Sequence, residues 1–217
     1  MLTFYCGSGG SSKYDSIAFE EGWSLGIRSC GKYKPGQLPI KFIDNNWKSY
    51  DHQGHLKLVR AIRPMLATAR DIENKNDLKQ ILKEAEEIAA FCKLAVVLIP
   101  KVAFEVPHLD FNWIWGFSVP TRYGGCDLPL SFFSDRPVHL LGGSPQQQAC
   151  YANLLNVQSL DCNSMINLAR FGKSTWPSSR PGGEKVVSGC YSSFRISARK
   201  TKEFWRCYNE SNREIFT

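Results

Sequence analysis

Eight short apolar runs, each closed by a turn former or a polar residue, limit this chain to few folds: residues 2–6, 24–27, 40–43, 65–69, 95–99, 114–119, 138–141 and 158–160. Runs of this length, rich in β-branched and aromatic residues, read as buried strands. Between the fourth and fifth lies a strong helix pattern over 75–93, where Leu78, Ile81, Leu82, Ala85, Ile88 and Ala89 recur at helical spacing above a charged face. Asn76 is its expected N-cap. A second helix is expected over 145–155, with Pro145 in the first turn, where the missing N–H costs nothing. Strands separated by helical or loop connections build a parallel sheet, and eight is the strand count of a (β/α)8 barrel. The expected fold class is therefore α/β, a compact (β/α)8 TIM-type barrel. Such barrels usually take about 250 residues. This chain has 217, so some crossover helices must be reduced to loops.

One domain is expected over 1–217, with 186–217 a basic C-terminal segment set off by the turn-rich stretch 176–183. The hydrophobic fraction of 43% and charged fraction of 22% are those of an ordinary folded, soluble protein. A net charge of +7 favours a polyanionic partner, because Lys and Arg release counterions when they meet phosphates. Cys6, Cys30, Cys92, Cys126, Cys150, Cys162, Cys190 and Cys207 form no C-x-x-C pair, which argues against a zinc ribbon or a redox couple and leaves them as small buried hydrophobes. No leader pattern and no bilayer-length apolar run is visible, so the expectation is a cytoplasmic protein with no membrane partner.

Several polar residues fall just after the apolar runs: Asp44, Asp71, Ser118, Arg122 and Asp161. In a parallel barrel the carboxyl ends of the strands share one face, where active sites sit, so three carboxylates are expected to converge there. Each acid taken alone reads equally well as a helix cap or turn residue. His139-Leu-Leu-Gly142-Gly143-Ser-Pro145 is a strand running through paired glycines into a helix start, a turn suited to close approach of a flat ligand and equally a plain strand-to-helix connection. Gly7-Ser-Gly-Gly-Ser-Ser-Lys13 lacks the spacing of a nucleotide-binding P-loop and reads as a glycine loop or turn. His52 and His55 would share a helix face, but Gly54 weighs against a helix there; His139, inside an apolar run, reads as a core histidine, and no metal is assigned. In the C-terminal segment Arg195, Arg199, Lys200, Lys202, Arg206 and Arg213 alternate with Phe194, Phe204, Trp205 and Tyr208. That mixture suits phosphate contact and base stacking, or an amphipathic helix closing the barrel.

In order, these motifs resemble the tRNA-guanine transglycosylase superfamily, and most closely its DNA-directed, DpdA-type branch, which puts 7-deazaguanines into phage or bacterial DNA. The resemblance rests on Phe-Ile-Asp44-Asn-Asn-Trp-Lys48, Ala-Thr-Ala-Arg-Asp71, Gly116-Phe-Ser-Val-Pro-Thr-Arg-Tyr-Gly-Gly125, His139-Leu-Leu-Gly-Gly-Ser-Pro145 and Ser-Leu-Asp161-Cys-Asn163. It implies a pentosyltransferase that exchanges guanine in DNA for a 7-deazaguanine base, with Asp161 as nucleophile and Asp44 as general acid/base. Asp71, Gly116, Ser118, Gly142 and Gly143 would meet the base. Lys48, Arg122, Lys173, Arg195, Arg199 and Lys200 are the expected nucleic-acid contacts. The Cys-x-Cys-x2-Cys zinc pattern of the RNA-directed relatives is missing, so no cofactor is expected. The short chain leaves little room for tRNA-reading elements, which points to DNA. An accessory protein or self-association stays open, and so do two other functions: a glycosyl-bond enzyme acting on free nucleosides, and a non-catalytic binder of modified DNA or a base.

Overall fold

The structure, a computed structural model, describes every residue except 8, 11, 32, 35–37, 106, 122, 123, 175–183, 186–188 and 215–217. Strands β1 (Leu2–Cys6), β2 (Ser24–Arg28), β3 (Ile40–Asp44), β4 (Leu66–Thr68), β5 (Ala95–Leu98), β6 (Trp113–Ser118), β7 (Val138–Leu141) and β8 (Val157–Cys162) close in that order into a barrel, β8 returning to β1. Every neighbouring pair is parallel. All eight apolar runs are thus strands, with β4 narrower than the run 65–69. Helices α1 (Lys13–Glu20), α2 (His52–Ile62), α3 (Leu78–Ala89), α4 (Pro145–Ala152), α5 (Ser164–Ala169) and α6 (Cys190–Glu214) pack outside, and Lys173–Ser174 (β9) pairs with Glu184–Lys185 (β10). Among the described residues no helix is long and apolar enough to cross a membrane.

The shortness of the chain is absorbed where β2, β5 and β6 lead on with no α-helix among the described residues. Over β6 aromatic side chains replace the missing helices: Phe104 and Phe132 lie 6.0 and 5.1 Å from the Trp115 ring, and Trp113 sits edge-on to it. Apolar residues on both faces of the strands divide the core in two. Phe4, Phe42, Leu66, Val97 and Ile99 fill the lumen, where the Phe4 and Phe42 rings stack at 5.2 Å. A larger cluster packs helices on the outer face, with Ile81, Ala85 and Ile88 of α3 buried as their spacing requires.

Three local expectations change. The α3 pattern starts as a 3₁₀ turn at Lys75–Asp77, whose cap is Asn74 rather than Asn76: the Asn74 side chain accepts the Asn76 N–H at 3.0 Å. α2 forms in spite of Gly54, because its amphipathic face buries His55, Leu56 and Val59. The cysteines are not uniformly interior, since Cys126 and Cys162 are buried while Cys30, Cys150 and Cys207 are exposed. Arg122 and the stretch 176–183 lie outside the described residues.

Candidate active site at the carboxyl ends of the strands

Asp44 ends β3, Asp161 stands near the end of β8, and β1 and β2 lie between those strands. The two carboxylates line one cavity of about 250 Å³ together with Cys6, Arg28, Cys30 and Asn163. Two cavities are larger: one of about 490 Å³ beside Lys93–Ala95 is lined by Glu86 and Asp110 but lies at the amino ends of β5 and β6, and one of about 440 Å³ among the aromatics around Trp113 has the single carboxylate Asp135. Burial first, and then the Asp161 charge, pushes the Asp44 carboxyl up to about 7; Arg28, 3.8 Å away, and the Thr68 hydroxyl pull the other way. Burial beside both carboxylates likewise pushes the Cys6 thiol up, so it stays protonated.

Asp161 is held from β7. The Gly142 N–H donates to its Oδ1 at 3.2 Å, and Gln148 Nε2 of α4 donates to the carbonyls of both Gly142 and Asp161. Gly142 and Gly143 have φ of 65° and 80°, a region that side chains disfavour. Gly142→Ala, with open space where a Cβ would stand, is therefore expected to cost about 1 kcal/mol through backbone strain, read as a lower chemical-denaturation midpoint. Ser144, with Gln147, then caps α4. The segment is thus the strand-to-helix connection read from the sequence, with the Gly142 N–H directed at Asp161.

Asp71, beyond β4, does not line the same cavity. It faces a smaller one of about 120 Å³ with Asn45, Trp47, Tyr50 and Arg70, so the three acids share a face but occupy two adjoining hollows. Asn45 Nδ2 donates to Asp71 Oδ1 at 3.2 Å, and Lys101 Nζ stands 3.7 Å from Oδ2. Burial raises the Asp71 carboxyl and Lys101 opposes it. Lys101 also donates to Ser118 Oγ (2.7 Å) and to the Gly125 carbonyl (3.0 Å), tying the exits of β4, β5 and β6 together. Gly116 is buried within β6, where a Cβ would run into Val97, Ile99 and Leu141, so packing by itself calls for glycine there.

A protein-family model described as a family of unknown function (DUF6610) matches residues 18–206. The chain belongs to this family. No curated protein matches the DUF6610 chain. Among solved structures, a crystal structure given as that of a fructose-1,6-biphosphate aldolase from Coccidioides immitis is similar, with a TM-score of 0.50 and 11% identity over 93% of this chain and 90% of that one. At 11% identity the likeness shows the (β/α)8 fold and nothing of the chemistry.

In the DUF6610 chain the described residues among the expected nucleic-acid contacts do not gather on one face. Lys48 is exposed beside the site, its Nζ 5.3 Å from the ring of Trp47. Arg195 and Arg199 of α6 instead pair with Glu20 and Glu21, near the amino end of β2 and away from Asp44 and Asp161. The same helix buries Phe194, Ala198 and Trp205, and Lys202 donates to Thr3. α6 is the closing amphipathic helix, and Arg195 and Arg199 face Glu20 and Glu21 rather than the cavity of Asp44 and Asp161. Lys200, half-buried on α6, and Lys173, exposed on β9 beside it, are not brought to the site either. Replacing Arg195 and Arg199 together by Ala is expected to leave any DNA affinity of the chain, and its salt slope, within error in a fluorescence-anisotropy titration across salt concentrations. Arg28, Trp47, Lys101 and Gln148 were missed by the sequence reading. Trp47, 55% exposed, carried the one usable signal, an aromatic just past an acid-ended strand.

His52 and His55 make no metal pair: His52 lies between Tyr50 and Glu87, while burial lowers His55 to about 4. Among the described residues no group of three His, Cys, Asp or Glu side chains is arranged to hold a metal.

Proposed function

We propose that this chain is a DNA transglycosylase that exchanges guanine for a 7-deazaguanine derivative through a covalent glycosyl–Asp161 intermediate. The observation that carries the reading is the unlike pair in one cavity: Asp161, anchored by a backbone N–H, and Asp44, pushed up to about 7. Paired carboxyls whose environments differ are what glycosyl transfer with retention requires.

An Asp161 oxygen attacks C1′ while the C1′–N9 bond breaks, and the electron pair leaves with the base, which takes the Asp44 proton. The incoming base then gives its N9 proton to the Asp44 carboxylate, N9 attacks C1′, and the bond to Asp161 breaks with its electrons returning to the carboxylate. Two inversions restore the starting configuration. Asp71, flanked by the cation of Lys101, suits the adjacent N–H donors of a guanine-type edge, and Trp47 offers a stacking face. Arg28 and Lys48 supply cations at the mouth for phosphates. The target base must be extruded or single-stranded to reach the cavity.

The test is to incubate the protein with DNA and a panel of 7-deazaguanines, digest to nucleosides and analyse by mass. Incorporation of a deazaguanine is expected. Exchange on free deoxynucleosides alone would mark a nucleoside enzyme, and DNA binding without exchange under any condition a binding protein; either overturns the proposal.

A further inference from the structure

His139 was expected to be an ordinary core histidine. It is fully buried, but its polar atoms are committed to the site. In the β7–β8 ladder it lies opposite Ser159, and Asp161 follows on the same inward face two residues later. Nδ1 is 2.8 Å from Ser159 Oγ, while Nε2 makes no hydrogen bond among the described residues and lies 3.5 Å from Asp161 Oδ1.

We infer that His139 is a positioning residue for Asp161, holding Oδ1 so that Oδ2 is the oxygen that bonds to C1′; this rests on the transglycosylase reading. In the neutral ring one nitrogen donates and the other accepts. A proton on Nδ1 would leave the Nε2 lone pair facing a carboxylate in the lumen. With the Ser159 hydroxyl donating to Nδ1, Nε2–H points at Asp161 instead, which is the complementary arrangement. The Phe42 and Phe4 rings, 4.8 and 6.1 Å from the imidazole, exclude water and so strengthen that contact. Gly142 N–H falls on the same Oδ1. Once the His139 Nε2–H closes the remaining distance onto Oδ1, beside the Gly142 N–H already there, Oδ2 is left to attack, and after esterification Oδ1 is the carbonyl oxygen that both donors hold. When the incoming base displaces Asp161, charge returns to the carboxylate, and the same donors stabilise it as a leaving group.

A serine hydrolase arrangement is a different matter. Ser159 is 1% exposed inside the barrel, whereas Asp161 lines the cavity, so the reactive end of the line is the carboxylate.

Two measurements test the assignment. In protein labelled with 15N-histidine, long-range proton–nitrogen NMR is expected to show the His139 proton on Nε2, with that resonance moving in Asp161→Asn. A proton on Nδ1, or an unmoved resonance, overturns the proposal, and this arm needs no activity. In the exchange assay His139→Phe is expected to lower kcat roughly 10- to 100-fold with KM for DNA nearly unchanged. His139→Gln, which keeps an N–H donor, should recover most of that loss. Equal losses in both variants, or a loss confined to KM, overturn it. Absence of exchange in the wild type would overturn the transglycosylase reading while the NMR result still decides the contact.

Discussion

Asp161→Asn is expected to lower deazaguanine incorporation by about 10³-fold or more, because an amide cannot take up the sugar as a carboxylate does. The amide oxygen can still accept the Gly142 N–H, so the fold and DNA affinity should be retained. The cleanest readout is the intermediate: wild type quenched in denaturant with DNA and no incoming base should show a protein–DNA adduct, and the variant none. An adduct of equal yield in the variant would place the nucleophile elsewhere.

Asp44→Asn is expected to remove activity and to stabilise the protein, with opposite pH signatures. In the proposed mechanism departure of guanine needs the protonated carboxyl, so kcat/KM for DNA should fall as pH rises through about 7, the value to which burial and Asp161 push Asp44. The sign for stability follows from the same shift. A carboxyl whose folded pKa is raised above its unfolded value is at no disadvantage below about 4, and it penalises the folded state increasingly as pH rises to about 7. The neutral amide of the variant carries no such penalty. The variant should therefore match wild type near pH 4 and exceed it at pH 8 by on the order of 2 kcal/mol, measured by chemical denaturation at both values. A gain that is the same at both pH values would mean that Asp44 is not raised by its surroundings.

Much of the frame was legible in sequence because a buried parallel strand is a local pattern. Runs such as Ala95–Leu98 and Val138–Leu141 are apolar on both faces and bounded by turn formers, and the acids at their exits follow from where strands stop. The α3 start was misread because Asn74 and Asn76 are both competent caps, and the choice depends on a single 3₁₀ turn. The partners of Arg195 and Arg199 were not legible for a physical reason: a basic helix face looks the same whether phosphates or Glu20 and Glu21 oppose it.

The sequence by itself determined the eight strands, the reduced crossovers and the placing of Asp44, Asp71 and Asp161 on one rim, since period and chain direction suffice for these. Only the closed barrel decided which acids share a cavity. Closure sets β8 against β1 and so brings Asp161 within electrostatic reach of Asp44 across two intervening strands, a relation between residues far apart in the chain. The tertiary structure alone also turned His139 inward. On a strand apolar on both faces, alternation cannot say which side is lumen, and that side is the difference between a filler of the core and a group aimed at Asp161.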